Sequence, residues 1–146
     1  MMLLDANLLL YAVNADAPDH VRAKQWVEET FAGQRGPVLL SWFTLVAFVR
    51  IATNPKALAN PFPLEEALRM VLDWLALPVV TTVAPGPDHA VHFASACRAA
   101  NAKGNLVTDA HLAALALEHE CALASCDVDS ASFPGLHWIN PLRSQA

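Results

Sequence analysis

MMLLDANLLLYA, residues 1–12, sets a single carboxylate inside an otherwise apolar run. Residues 2–5 read as a short buried strand and residues 7–14 as a short apolar helix, which puts Asp5 where the strand gives way to the helix. Continuous apolar strands of this kind belong to parallel sheets covered by helices on both faces. Burying a charge is costly unless it is paired or bound to metal, so Asp5 is a clue to function as well as to fold. Two more aspartates follow short apolar runs: Asp109 in GNLVTDAHLAALA (104–116) and Asp127 in CALASCDVDS (121–130). In an open parallel α/β sheet the carboxyl ends of the strands line one crevice, where ligands bind. Carboxylates gathered there raise one another's pKa unless a cation neutralises them. A hard, all-oxygen donor set suits Mg²⁺, with Mn²⁺ as a substitute.

The rest of the chain alternates strand and helix as βαβ units do. Residues 16–33 read as a helix with Val21, Trp26, Val27 and Phe31 as its inner stripe, stopped by Gly33. Residues 37–40 form a second strand, and Ser41 is the N-cap of a helix running to about Thr53. A helix over 63–75 has Pro63 in its first turn, with Glu65 and Glu66 near the positive end of its dipole. A strand at 77–83, a helix at 88–100, a short strand at 106–107 and a helix at 109–118 follow. Strands at 121–125 and 137–139 close the chain. The expectation is one three-layer α/β domain over 1–146, with a central parallel sheet flanked by helices.

Composition limits the function classes. A net charge of −5 argues against the broad basic footprint that binds long nucleic acid non-specifically, though a bound cation would supply positive charge locally. The longest central stretch free of Asp, Glu, Lys and Arg, residues 36–49, is 14 residues, short of the roughly 20 a membrane helix needs. No basic region precedes the first apolar run, so no signal peptide is expected. Cys97, Cys121 and Cys126 show no metal-ligand spacing and read as reduced, buried residues of a cytoplasmic protein. With 55% hydrophobic residues, surplus apolar surface points to a homodimer, a tight protein partner, or both.

Four segments, in order, carry a family resemblance: LLDANLLLYA (3–12), ATNP (52–55), GNLVTDAHLAALA (104–116), and SCDVD with FPGL (125–136). On these the chain resembles PIN domains, specifically the VapC-type ribonuclease toxins of toxin–antitoxin pairs. The resemblance implies a metal-dependent endoribonuclease acting on RNA and neutralised by a VapB-like antitoxin, which carries the DNA-binding part. It maps the family's first, third and fourth acidic residues onto Asp5, Asp109 and Asp127, with Asp129 as a second candidate for the last. The family's remaining acid, a glutamate, falls on Ala47. No acid lies between Glu29 and Glu65, so that helix holds no replacement, which puts a second metal position in question.

Phosphodiester cleavage needs a more acidic water and neutralisation of charge developing on phosphate oxygens, and Mg²⁺ supplies both. Asp5, Asp109 and Asp127 are the expected ligands. Thr108 is the expected N-cap behind Asp109, Asn7 a donor to a carboxylate or phosphate, and Asp129 a nearby support. Arg50, on an apolar helix, suits an RNA phosphate, a structural ion pair or an antitoxin carboxylate. His111, two residues beyond Asp109, reads as structural or exposed. The four tryptophans (Trp26, Trp42, Trp74 and Trp138) read as core or interface anchors. An amphipathic antitoxin segment is expected in a groove among the helices at 16–33, 42–53 and 63–75. Each aspartate has a structural rival: a helix-dipole charge for Asp109, turn residues for Asp127 and Asp129. The rival function is a PIN-like module that binds RNA or a protein without cleaving, with Ala47 as its evidence.

Overall fold

Short, mostly apolar segments of two to four residues form the sheet: β1 (Met2–Leu4), β2 (Val38–Ser41), β3 (Val80–Val83), β4 (Ala122–Ala124) and β5 (Trp138–Ile139). All pairings are parallel, in the order β3-β2-β1-β4-β5, with Met2 opposite both Val38 and Ala122. The computed structural model describes residues 1–143. The last three residues of the expected domain, Ser144, Gln145 and Ala146, lie outside the described residues.

Among the described residues six α-helices cover the sheet: α1 (Ala6–Val13), α2 (His20–Phe31), α3 (Trp42–Ala52), α4 (Leu64–Leu75), α5 (His89–Ala100) and α6 (Asn105–Glu118). The period-2 alternation of the strands decides which helices lie where. Leu4, Val38, Leu40 and Ala124 pack with Leu8, Leu9, Val27, Leu45, Phe48 and Val71 from α1 to α4. Leu3, Leu39 and Leu123 point the other way, onto Leu112 and Leu115 of α6. Ala96 of α5 packs against Ala110 and Ala113 of α6, a small-residue contact that lets the two helices approach closely. The expected three layers are present.

Ser41 caps α3 as its sequence implies, its Oγ accepting the Thr44 N–H at 3.1 Å. Several boundaries differ from expectation. The helix expected from 16 begins at His20, because Pro18 disfavours helical backbone before it and the Asp16 N–H turns back onto Asn14 Oδ1 at 3.1 Å. Val21 is off the inner stripe and 76% exposed: the buried residues are Ala23, Val27 and Thr30, at three- and four-residue spacing that Val21 does not share. Pro63 sits at the N-cap position of α4, ahead of its first turn. Residues 77–79 are a turn, closed by Val80 N–H to Leu77 C=O at 3.1 Å, and β3 starts after it.

The strand expected at 106–107 does not exist. Gly104, at φ +56°, turns the chain so that α6 starts at Asn105, and Leu106 packs on the Ala96–Phe133 cluster as a helical residue. A two-residue apolar run cannot by itself separate strand from buried helix.

Candidate active site

Asp5 follows β1 directly. Its N–H extends the ladder to Ala124 C=O at 2.9 Å, and Oδ1 caps α1 by accepting the Ala6 N–H at 2.7 Å. Oδ2 accepts the Ser125 hydroxyl at 2.7 Å and, more weakly, Asn7 Nδ2 at 3.4 Å. Ser125 is fully buried, and its Oγ also accepts from Asn7 Nδ2 (3.2 Å) and the Asp127 N–H (3.1 Å). One hydroxyl thus ties the first aspartate to the backbone of the last. Burial pushes the Asp5 carboxyl above the ordinary range, hydrogen bonds from Ser125 and Ala6 draw it back, and Asp127 raises it again.

Asp109, Asp127 and Asp129 bring one carboxylate oxygen each to within 4.8 Å of the other two. Asp109 is the fifth residue of α6, not its first. Thr108 is accordingly not an N-cap: it lies inside the first turn and its hydroxyl donates to Asn105 C=O at 2.7 Å. The Asp109 carboxyl is pushed up to about 6, first by burial and then by Asp127, Asp5 and Asp129. Asp127 Oδ1 accepts the Asp129 N–H at 2.9 Å, starting the 3₁₀ turn Val128–Ser132 and folding Asp129 back toward Asp109.

The structure therefore gathers Asp109 and Asp127 as expected, adds Asp129 to their tight group, and holds Asp5 beside them through Ser125. No Lys or Arg pairs with these carboxylates among the described residues, where the salt bridges are Lys24–Glu28, Arg35–Glu29 and His89–Glu118. Four crowded carboxylates without a basic partner among the described residues fit a hard divalent cation; burial raises the Asp109 carboxyl most, and its acidic neighbours raise it further.

Arg50 is exposed in the last turn of α3, and no carboxylate pairs with it among the described residues. It borders an open groove of about 370 Å³ with Trp42, Phe43, Val46 and Ala47. A second groove of about 450 Å³, between α3 and α4, is lined almost wholly by apolar side chains, among them Trp42, Val46, Leu68 and Leu72. Trp42, Val46 and Leu72 are 56%, 60% and 65% exposed. Trp26, Trp74 and Trp138 are half-buried, Trp26 and Trp74 packed on the core and Trp138 donating its ring N–H to Ser125 C=O at 2.9 Å. Among the described residues no helix is long and apolar enough to cross a membrane.

His111 is half-buried and bonded: its Nδ1 lies 3.1 Å from His89 Nε2, and its ring meets Phe43 edge-on at 5.2 Å. Burial and the neighbouring His89 hold it below the ordinary imidazole range. Ser125 and the His89–Glu118 pair escaped sequence reading. For Ser125 a signal exists: a hydroxyl immediately after an apolar strand and two residues before Asp127.

Comparison with known proteins follows the same lines. The PIN domain family pattern matches residues 2–136. The chain is 40% identical over 141 residues to Ribonuclease VapC37 of Mycobacterium tuberculosis, covering 97% of each. It is 37% identical over 143 residues to Ribonuclease VapC33 of the same species, covering 98% of this chain and 99% of that one. Among solved structures, VapBC-1 from nontypeable Haemophilus influenzae matches with TM-score 0.69 and 17% identity, over 97% of this chain and 98% of that one. VapBC2 from Rickettsia felis, bound to a fragment of promoter DNA, matches with TM-score 0.68 and 13% identity, over 95% and 97%.

Proposed function

The chain belongs to the PIN-domain family, as a VapC-type toxin ribonuclease, and from that premise we propose a Mg²⁺-dependent endoribonuclease neutralised by a VapB-like antitoxin. The observation that carries the reading is the uncompensated acidic cluster at the carboxyl edge of the sheet. We read residues 1–146 as one domain acting in the cytoplasm as a homodimer.

Asp109, Asp127 and Asp129 hold the cation, with Asp5 completing its surroundings. A bound Mg²⁺ or Mn²⁺ supplies Lewis acidity toward a phosphate oxygen and lowers the pKa of water. The remaining work falls to the chain. Ser125 and the Ala6 N–H fix Asp5 in one orientation, so little reorganisation accompanies reaction. Asp127, pinned through its own N–H to Ser125, orients the attacking water. Asn7 donates to Asp5 in the free protein and is placed to turn toward a substrate phosphate. Asp129 offsets the glutamate that the family carries where this chain has Ala47.

The antitoxin docks an amphipathic helix into the α3–α4 groove, with Arg50 at its rim to meet a carboxylate. The rival groove, where α2 meets α4, is interrupted by His20, Lys24, Glu28 and Glu66, which suits an apolar helix face less well. The chain itself is not assigned a DNA-recognition element; that task falls to the antitoxin. The loss of the glutamate at Ala47 favours the second reading, a module that binds RNA or protein without cleaving.

Titrating metal-free protein with Mn²⁺ in a calorimeter, alongside cleavage of structured RNA, tests the proposal. Binding that disappears in Asp109→Asn and tracks cleavage supports it. Cleavage that persists with EDTA present contradicts it, and binding of RNA without cleavage favours the second reading.

A further inference from the structure

His111 and Glu118 are seven residues apart on α6, which puts them on one face about two turns, or roughly 10 Å, apart. His89, the first residue of α5, bridges them: its Nε2 lies 3.1 Å from His111 Nδ1, and its Nδ1 lies 3.7 Å from Glu118 Oε1. The far end of this chain is built, not incidental. The Glu118 side chain is 9% exposed, Oε1 accepts the Gly86 N–H at 2.8 Å, and Oε2 is buried without a partner, as is His89 Nδ1.

A buried carboxylate facing His89 Nδ1 favours the proton on that nitrogen, which leaves His89 Nε2 as an acceptor. His111 must then donate from Nδ1, and its Nε2 carries a lone pair. That Nε2 makes no hydrogen bond among the described residues and is not one of the buried partnerless atoms, so it opens to solvent. Phosphate oxygens only accept, so this nitrogen is the wrong group for them; it needs a hydroxyl or N–H donor. Beside it stands Phe43, 42% exposed. Phe43 is next to Thr44, whose hydroxyl donates at 3.4 Å to the carbonyl of Leu4, the residue before Asp5. His111 and Asp109, two residues apart on α6, leave the helix on different faces, so it is Phe43 at the start of α3 that carries this contact toward Asp5.

We infer that Phe43 and His111 receive a nucleotide of single-stranded RNA beside the acidic cluster, the base stacking on Phe43 and the ribose 2′-hydroxyl donating to His111 Nε2. His89 and Glu118 act as positioning residues that fix the His111 tautomer. The inference rests on the ribonuclease reading for its substrate class, but its test does not need cleavage. A 2′-hydroxyl is what separates RNA from DNA at such a contact, whereas stacking on an aromatic ring is indifferent to the sugar.

The test is binding, by fluorescence anisotropy, of a short randomised single-stranded RNA pool and of the DNA pool of the same design. The proteins are the full chain carrying Asp5→Asn to block cleavage, the same chain with His111→Asn, and the same with Phe43→Leu. Asparagine keeps a donor in place of Nδ1 and lacks Nε2. His111→Asn is expected to weaken RNA binding about threefold to tenfold, the worth of one hydrogen bond, and to leave DNA binding unchanged. Phe43→Leu is expected to weaken both pools alike. In the cleaving protein, Glu118→Gln is expected to raise KM for RNA severalfold with kcat little changed, and His111→Gln, which restores an acceptor near Nε2, to recover part of the loss of His111→Asn. Equal loss for RNA and DNA in His111→Asn, or no loss, overturns the inference and leaves the nuclease reading standing. RNA preference that depends on His111, together with no cleavage by the chain that keeps Asp5, upholds the inference and sinks the nuclease reading. Absence of RNA binding overturns both.

Discussion

Asp109→Asn separates a metal site from an ordinary helix charge by the sign of its effect on stability. The folded protein raises the Asp109 carboxyl from an ordinary 3.8 to about 6, through burial and the neighbouring carboxylates. A raised acid binds its proton more tightly folded than unfolded. Stability from this group is therefore intact below about pH 4, falls as pH rises toward about 6, and stays lost above it. At 1.36 kcal/mol per pH unit the span corresponds to about 3 kcal/mol. Asp109 is partly open to solvent, and screening reduces this to roughly 1–2 kcal/mol. Removing the charge should thus stabilise the metal-free protein at pH 7.5 by that amount, a Tm rise of roughly 3–7 °C for a chain of this size. The same substitution should abolish cleavage. The assay is thermal unfolding in EDTA from pH 5 to 8, for both proteins, repeated with Mg²⁺. The wild type should melt lower at pH 7.5 than at pH 5, the variant should lose most of that slope, and only the wild type should gain from Mg²⁺. A helix-dipole charge would behave oppositely, its removal costing about 0.3–1 kcal/mol. A lower Tm for the variant at pH 7.5 in EDTA refutes the reasoning.

Ser125→Ala removes the hydroxyl shared by Asp5, Asn7 and the Asp127 N–H, and should reduce metal affinity or cleavage about 10–100-fold, read by calorimetry and initial rates. Asp129→Asn should raise the Mg²⁺ concentration for half-maximal cleavage; an unchanged midpoint would remove Asp129 from the cation's surroundings. Leu72→Glu, on a side chain 65% exposed, should change stability by no more than about 0.5 kcal/mol. It should weaken antitoxin capture more than tenfold, because a charge is then desolvated in an apolar groove; unimpaired capture would move the docking site elsewhere.

What the sequence disclosed and what it hid have physical causes. Runs such as MLL and the VLL of VLLS, short and apolar at every position, fit strands buried on both faces, so the parallel sheet and its three layers were readable. Ser41 announced α3 because a cap is a local hydrogen bond, and Asp5 stood out because a charge after such a strand needs a reason. Leu106 and Val107 misled because two apolar residues fit strand and helix alike, and Gly104 decided the matter through its backbone. Once α6 began at Asn105, Thr108 could no longer be its cap. Val21 was misplaced because its apolar side chain was read without its phase: it stands two residues from Ala23, off the stripe that Ala23, Val27 and Thr30 form. Asp129 joined Asp109 only through the turn that Asp127 starts, and His89 reaches Glu118 across 29 positions of chain. Contacts of that kind come from topology, and no local pattern announces them.

The central claim is that these carboxylates cut RNA with a divalent cation. It is tested most directly by incubating structured RNA with the purified chain, free of antitoxin, in Mg²⁺, in EDTA, and with Asp5→Asn in Mg²⁺. The account predicts discrete cleavage products in the first case alone. Products that survive EDTA or the Asp5→Asn change would contradict it, as would intact RNA bound by a folded, Mg²⁺-loaded wild type.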